Sequence, residues 1–138
     1  MRAEIDSQLP ALLVAPGAPR LDSRLTYRSS DPYAVTLAFG AQHALEGEPV
    51  VWVFSRELLA TGVNTVAGAG DVRVRPYDPG RTVIELRVPE GSAVLMLPTD
   101  GVRAFLRASY EAVPSGAEGR GIPWDAFLAT LTEEIDGP

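Results

Sequence analysis

Ser55 is the first residue to consider for chemistry, because it stands between an apolar run and a short helical segment in VVWVFSRELLATG, residues 50–62. A serine on such a strand-to-helix turn is the nucleophile of many hydrolases. That turn needs glycines on both sides of the serine and a histidine base within reach. Here the flanking residues are Phe54 and Arg56, and the sole histidine, His43, lies in a polar loop.

We therefore interpret Ser55 as a helix N-cap whose hydroxyl accepts a hydrogen bond from the amide of Glu57 or Leu58. Glu57 adds a favourable negative charge in the first turn. A small hydrolase that uses Ser55 or the carboxylates is a competing hypothesis, and it requires Ser55→Ala to abolish an activity.

The segment Gly-Ala-Gly-Asp, residues 68–71, has the composition of a phosphate loop. Phosphate loops lead into a helix N-terminus, whose amides meet the anion. This segment leads instead into the alternating sequence DVRVRP, so we predict a structural turn before a strand.

The amino-acid composition argues against a metal site or a cofactor. The chain has no cysteine and one histidine, which removes thiolate catalysis and the usual zinc ligands. Acid pairs such as Glu46/Glu48 and Glu133/Glu134 lie in polar segments without the burial that separates the pKa values of catalytic carboxylates. We predict no catalytic residue, no metal site and no cofactor.

Four charged residues are the main candidates for a partner-binding surface. Arg73 and Arg75 alternate with valines in one predicted strand, and Glu85 and Arg87 alternate with apolar residues in the next. The register of a hairpin brings all four onto one sheet face. That face is either a solvated surface that discourages edge pairing or a partner-binding patch.

Two tryptophans are further candidates for binding. Trp52 and Trp124 are predicted to anchor the core rather than to stack on a ligand. Trp124 lies near a predicted helix start beside glycines, so the alternative for this residue is a position in a contact between subunits.

Length and charge limit the class of protein. With 138 residues, 46% of them hydrophobic, the chain suits one domain, 1–138. A net charge of −6 disfavours nucleic-acid binding, which needs many cations to neutralise phosphates. No apolar run is long enough to span a bilayer and the N-terminus lacks a signal sequence, so we expect a cytoplasmic protein without direct membrane insertion.

The elements that must position these residues are mostly strands. Alternation and turn residues predict a short helix over 56–61, closed by Gly62, and a hairpin followed by a third strand as a meander. The run over 50–54 is apolar on both faces, which predicts a central strand covered on two sides. The predicted strands are residues 9–14, 24–28, 33–39, 50–54, 71–76, 82–88 and 93–97.

Helical periodicity takes over in the last third. Apolar residues at three- and four-residue steps predict a helix over about 100–112, capped by Thr99 or Asp100 and ended by Pro114. A second helix is predicted after Pro123, with an apolar stripe that includes Trp124. The fold class predicted from the pattern is α+β.

Three ordered segments, DPYAV, WVFSRELLATG and GAGDVRVRP, resemble the SsgA-like proteins, small developmental regulators of sporulating actinomycetes. The resemblance extends from about Leu25 to the C-terminal helix, and its most specific blocks are residues 52–62 and 68–76. The motif residues are strand, cap and turn residues, so no active site is transferred from the family.

This resemblance implies a fold and a role. The implied fold is that of the whirly single-stranded nucleic-acid binders, with two antiparallel sheets and helices, assembled as a homotrimer. The implied role is a non-enzymatic one in sporulation-specific cell division at the septum, where such proteins position the tubulin-like GTPase FtsZ and assist peptidoglycan remodelling. Partners would be FtsZ or other SsgA-like paralogues. A single-stranded nucleic-acid binder with a whirly-like fold is the alternative.

Overall fold

The computed structural model describes residues 3–40, 50–88 and 91–121. Within these ranges it has seven strands, two α-helices and a 3₁₀ turn over Glu118–Gly121. The elements in chain order are β1 (Glu4–Leu13), β2 (Arg20–Arg28), β3 (Ala34–Phe39), β4 (Val50–Ser55), α1 (Arg56–Gly62), β5 (Val72–Asp78), β6 (Arg81–Val88), β7 (Gly91–Pro98) and α2 (Thr99–Ala112).

All seven strands belong to one antiparallel sheet with the order β4-β3-β2-β1-β7-β6-β5. The sheet consists of two meanders, β1 to β4 and β5 to β7. They join along a short seam between β1 and β7, where Leu12 pairs with Met96 and Leu13 with Leu95. The two sheets implied by the family resemblance are therefore one continuous sheet in this chain.

Helix α1 connects the two edge strands, since it follows β4 and leads to β5. Seven residues of helix span only about 10 Å, and α1 contacts both β4 and β5. The sheet therefore curls, which brings its two edges to the same short helix.

The core lies on the inner face of the curled sheet, which we define as the face that packs against α1 and α2. Every second residue of the strands points there, as the period of two requires. Fully buried members from both meanders and from α2 are Leu25, Tyr27, Val35, Leu37, Val74, Ile84, Leu86, Leu95, Val102 and Phe105.

The locally encoded predictions are confirmed. Strand β3 alternates as expected, the β5–β6 hairpin forms around Asp78, and β7 completes the meander. The α+β class is confirmed with α1 between strands and α2 after them. The second predicted C-terminal helix and the loop containing His43 lie outside the described residues.

The prediction of a central strand over 50–54 is wrong, because β4 is an edge strand. Its outer-face residues Val51 and Val53 are 54% and 61% exposed. The apolar run on both faces reflects an apolar outer surface at the sheet edge and not coverage on two sides within this chain. Phe54 alone is buried in this strand, with Trp52 partly so.

Two predicted details of the helices are also wrong. The N-cap of α2 is Pro98, without a side-chain cap bond, because the Thr99 hydroxyl is hydrogen-bonded to that of Thr82 at 2.8 Å. Gly62, predicted to close a helix over 56–61, is itself the last residue of α1, and Val63 caps the helix with αR geometry. A side chain at Gly62 would collide with Val74, which explains the glycine there.

None of the helices in the described ranges has both the length and the apolarity that crossing a bilayer requires.

Candidate functional site

Ser55 occupies the cap position that the sequence predicts. Its backbone is extended, with φ −67° and ψ 135°, and its Oγ accepts a hydrogen bond from the Leu58 amide at 3.1 Å. The side chain is exposed. This is the geometry of an N-cap and leaves the hydroxyl engaged as an acceptor.

An open cleft of about 260 Å³ lies beside Ser55, and two carboxylates, Glu57 and Glu118, line it. The Glu118 carboxylate is already engaged, because Oε1 accepts from Arg56 at 3.0 Å and Oε2 from the Gly116 amide at 2.8 Å. Hydrogen bonds from its own backbone amide, from Arg56 and from Gly116 hold the pKa of Glu118 below its ordinary value. A carboxylate in this state is a poor proton acceptor at neutral pH.

The residue next to Ser55 is the structural centre of this region. Arg56 is 1% exposed. Its Nη1 donates to the carbonyls of Ser109 and Val113 at 3.0 and 2.8 Å, and its Nη2 donates to Glu118 at 3.0 Å. One guanidinium therefore ties α1 to the end of α2 and to the 3₁₀ turn that follows it.

Two aromatic rings complete what we call the Arg56 cluster, which comprises Arg56, Glu118, Tyr27 and Tyr110. The Arg56 Cζ lies 4.7 Å from the Tyr27 ring centroid and 4.0 Å from that of Tyr110. Both contacts are within cation–π range. The carbonyls at the C-terminus of α2 also favour a cation, because they carry the negative end of the helix dipole.

Sequence reasoning missed Arg56 and treated it as an ordinary helix former. Its partners are 53 to 62 positions away, and no spacing rule connects them. The only local signal is a charged residue placed directly after an apolar strand and inside a buried helix face.

Replacing Ser55 with alanine should lower the free energy of unfolding by about 1 kcal/mol, because the Leu58 amide loses its acceptor. Urea unfolding would measure this as a shift in midpoint at constant slope. Ser30→Ala is the matched control, since Ser30 is an exposed turn residue. An unchanged midpoint for Ser55→Ala would contradict the capping role.

Stability should depend on alkaline pH through the Arg56 cluster. Burial raises the pKa values of Tyr27 and Tyr110 above their ordinary value of 10.0. In the unfolded chain the phenols ionise first, so their contribution is fully present below about pH 10 and is lost as pH rises further.

Tyr110→Phe removes one of these titrations, so the free energy of unfolding of this variant should fall less than that of the wild type as pH rises from about 10 to about 11. Tyr33→Phe is the control, since that ring is 55% exposed. Unfolding curves across this range would show the difference, and parallel profiles for Tyr110→Phe and wild type would refute it.

The four charged residues singled out in the sequence do share one sheet face. Arg73 pairs directly with Glu85 in the β5–β6 register, and Arg75 pairs with Val83. Arg87 follows Glu85 at a spacing of two, and its amide donates to the Asp71 carbonyl at 2.8 Å. All lie on the outer face, opposite the core, and we call these four residues the arginine patch.

The cations of this patch are available for binding. Arg73, Arg75 and Arg87 are exposed. Arg73 donates only to the Gly68 carbonyl at 3.4 Å, and Arg75 and Arg87 have no side-chain partner among the described residues. The patch is thus a set of guanidiniums with unused donors around one half-buried carboxylate.

The other predicted residues are distributed as follows. Trp52 is partly buried against the core, as predicted, while Trp124 lies outside the described residues. The glycine-rich turn before β5 is structural, with Gly68 at φ +98° and Ala67 bridged to Val74. A left-handed φ of this kind favours glycine.

The comparisons with known proteins identify the class. The family model described as Streptomyces sporulation and cell division protein, SsgA, matches residues 21–118. The match includes both the arginine patch and the Arg56 cluster. The chain belongs to the SsgA family, and the family resemblance read from the sequence is confirmed.

Individual relatives agree with this assignment. The sporulation-specific cell division protein SsgB of Frankia casuarinae is 41% identical over 134 residues, covering 92% of this chain and 90% of the relative. The SsgB of Streptomyces coelicolor is 41% identical over 113 residues, with 80% of each chain covered. These names designate cell division proteins and not enzymes.

Solved structures match the fold as well. An SsgA-like sporulation-specific cell division protein from Thermobifida fusca has a TM-score of 0.78 at 36% identity, covering 94% of this chain and 96% of the other. A structure of SsgB, in a study of longitudinal cell division during sporulation of Streptomyces coelicolor, has a TM-score of 0.75 at 36% identity, covering 86% and 93%.

Proposed function

We propose that this protein is a non-catalytic adaptor in sporulation-specific cell division, acting in the cytoplasm at the septum. It binds FtsZ or other SsgA-like proteins, helps to position FtsZ at future septa and contributes to the associated peptidoglycan remodelling. The whole chain, 1–138, acts as a single domain. Membership of a family of sporulation and cell division proteins supports the setting of this role.

The observation that carries the adaptor role is the arginine patch. In a chain of net charge −6, three exposed arginines are held on one rigid sheet face with little internal pairing. Arginine on a rigid strand loses little entropy when it forms bidentate bonds to carboxylates. Such a surface suits recognition of acidic groups on another protein.

Co-sedimentation with polymerised FtsZ, alone and with paralogues added, tests the proposal. The wild type should sediment with the polymer, and the variant in which Arg73, Arg75 and Arg87 are all glutamine should stay in the supernatant. A matched control replaces Arg28, Arg103 and Arg107, three exposed arginines elsewhere, and should behave as the wild type. Absence of the wild type from every pellet would refute the role.

We further propose that the protein assembles as a homotrimer with a whirly-like arrangement. The apolar outer side of the β4 edge supports this, because Val51 and Val53 lie beside the small residues Ala38 and Thr36 of β3. Burial of such a surface in a subunit contact is favourable.

Light scattering of Val53→Asp should then give the mass of a monomer, while the wild type gives that of a trimer. A charge at a buried contact is costly, whereas Val66→Asp, at an equally exposed valine outside the strand, should leave the trimer intact. A monomeric wild type at micromolar concentration would refute the assembly.

Single-stranded nucleic-acid binding is the second candidate, supported only by the whirly-like shape that the resemblance implies. The acidic net charge opposes it. A salt-dependent signal from a fluorescent oligonucleotide titrated with the protein would favour it over the adaptor role.

A further inference from the structure

The outer sheet face has an apolar groove at the seam between the two meanders. Since β1 and β7 pair over only two residue pairs, they diverge beyond Leu12 and Met96. The resulting groove has a volume of about 330 Å³. Its outer-face lining consists of Pro10, Leu12, Met96 and Pro98, with Arg20 and Arg81 at its rim.

The register across five strands places this groove between two arginines. Arg20 of β2 pairs with Leu12, Leu12 pairs with Met96, Met96 with Val83, and Val83 with Arg75 of β5. One row across the outer face therefore has an arginine at each end and three apolar residues between them. Leu12 and Met96 are partly exposed and form the accessible floor, whereas Val83 is only 2% exposed.

The two terminal arginines are free to bind. Arg20 and Arg75 are exposed and have no side-chain partner among the described residues. Arg81 differs, because it donates two hydrogen bonds to Asp78 and stacks on Tyr77. The row thus presents two unpaired cations flanking an apolar floor, a pattern complementary to two carboxylates flanking an apolar side chain.

The spacing of the row sets the spacing in the ligand. Four steps between neighbouring strands, at about 4.8 Å each, separate the ends of the row by roughly 19 Å along the sheet. An extended chain rises about 3.3 Å per residue, so the matching carboxylates are about six positions apart.

We propose that this row is the docking site for an extended acidic segment of a partner protein. Two carboxylates of the segment, about six positions apart, bind Arg20 and Arg75. An apolar side chain about two positions from the carboxylate at Arg20, on the same face of the extended segment, enters the groove at Leu12 and Met96. This inference rests on the proposed adaptor function and specifies the chemistry of the partner.

Fluorescence anisotropy with a labelled synthetic peptide tests the docking site. The peptide has two glutamates about six positions apart, a leucine about two positions from one of them on the same face, and serines elsewhere. We expect saturable binding that weakens with salt, and a loss of about tenfold in affinity for Arg20→Gln and for Arg75→Gln. Arg107→Gln, an exposed arginine on α2, should bind as the wild type does.

Three control peptides test whether binding requires the negative charges, the apolar side chain and the spacing between the glutamates. Replacing both glutamates with lysine, replacing the leucine with serine, or placing the glutamates side by side should each weaken binding. The inference is overturned if the wild type gives no saturation, if the lysine peptide binds equally well, or if all three arginine variants bind alike. Displacement of the peptide by a single-stranded oligonucleotide at lower concentration would also overturn it.

The outcome is separable from that of the adaptor role. Co-sedimentation with FtsZ or paralogues combined with no peptide binding would show that the docking site is wrong and the adaptor role stands. Peptide binding without any co-sedimentation would support the docking site and reject FtsZ and the paralogues as partners.

Discussion

Replacing Arg56 with alanine is expected to lower the free energy of unfolding by about 3–5 kcal/mol. The substitution removes a buried cation and the donors to the Val113 carbonyl and to Oε1 of Glu118, while the Ser109 carbonyl keeps only its bond from the Val113 amide. It also leaves space between the rings of the Arg56 cluster. Domains of this size have a total free energy of unfolding of about 5–15 kcal/mol, so this substitution would remove a large part of the stability.

Chemical unfolding of Arg56→Ala, Arg56→Lys and Arg107→Ala would measure this effect. Lysine keeps the charge but has a single ammonium in place of the planar guanidinium. The free energy of unfolding of Arg56→Lys should therefore lie between those of the wild type and Arg56→Ala. Arg107 is exposed, and its alanine variant should stay within about 0.5 kcal/mol of the wild type. A loss below about 1 kcal/mol for Arg56→Ala would mean that the cluster contributes little to stability.

Gly62→Ala should be the other strongly destabilising change, with a loss of about 2–3 kcal/mol. Alanine normally stabilises a helix relative to glycine by up to about 1 kcal/mol. Here the new methyl group would overlap the Cβ and Cγ1 atoms of Val74, in the contact between α1 and β5. Val74 is fully buried and has no room to retreat, so overpacking outweighs the gain in propensity.

Thermal or urea unfolding separates these two effects when Gly70→Ala is measured alongside. A side chain at Gly70 meets no atom within 4 Å, so that variant should keep the wild-type stability. Increased stability of Gly62→Ala would show that α1 and β5 leave room for a methyl group, which contradicts the close contact with Val74.

The parts of the fold that local sequence determines were predictable. The β5–β6 hairpin follows from valines alternating with arginines around a turn that contains Asp78, and that turn is closed by a bond from the Gly80 amide to the Asp78 side chain. The Ser55 cap is local as well, since its donor lies three residues along.

Properties that depend on distant chain segments were not predictable. Whether an apolar run becomes a central or an edge strand depends on the order of all seven strands, and this order makes β4 an edge. Thr99 is of a residue type that often caps helices, but its hydroxyl is hydrogen-bonded to that of Thr82, 17 positions earlier. The buried role of Arg56 likewise depends on Glu118, far along the chain.

The candidate site was predictable in part. Alternation and hairpin register were enough to bring Arg73, Arg75, Glu85 and Arg87 onto one face, and the structure confirms that placement. The extension of this face to Arg20 was not visible, because it needs the seam between β1 and β7. Pairing across that seam joins residues more than 80 positions apart in sequence.

Arginine-specific footprinting is the most direct test that the arginine patch is a protein-binding surface. The protein is treated with phenylglyoxal in the presence and absence of polymerised FtsZ, and the modification of each arginine is quantified by mass spectrometry. We expect Arg73, Arg75 and Arg87 to be protected in the complex, with Arg103 and Arg107 of α2 modified equally in both states. Protection of the helix arginines with full modification of the sheet arginines would contradict the account.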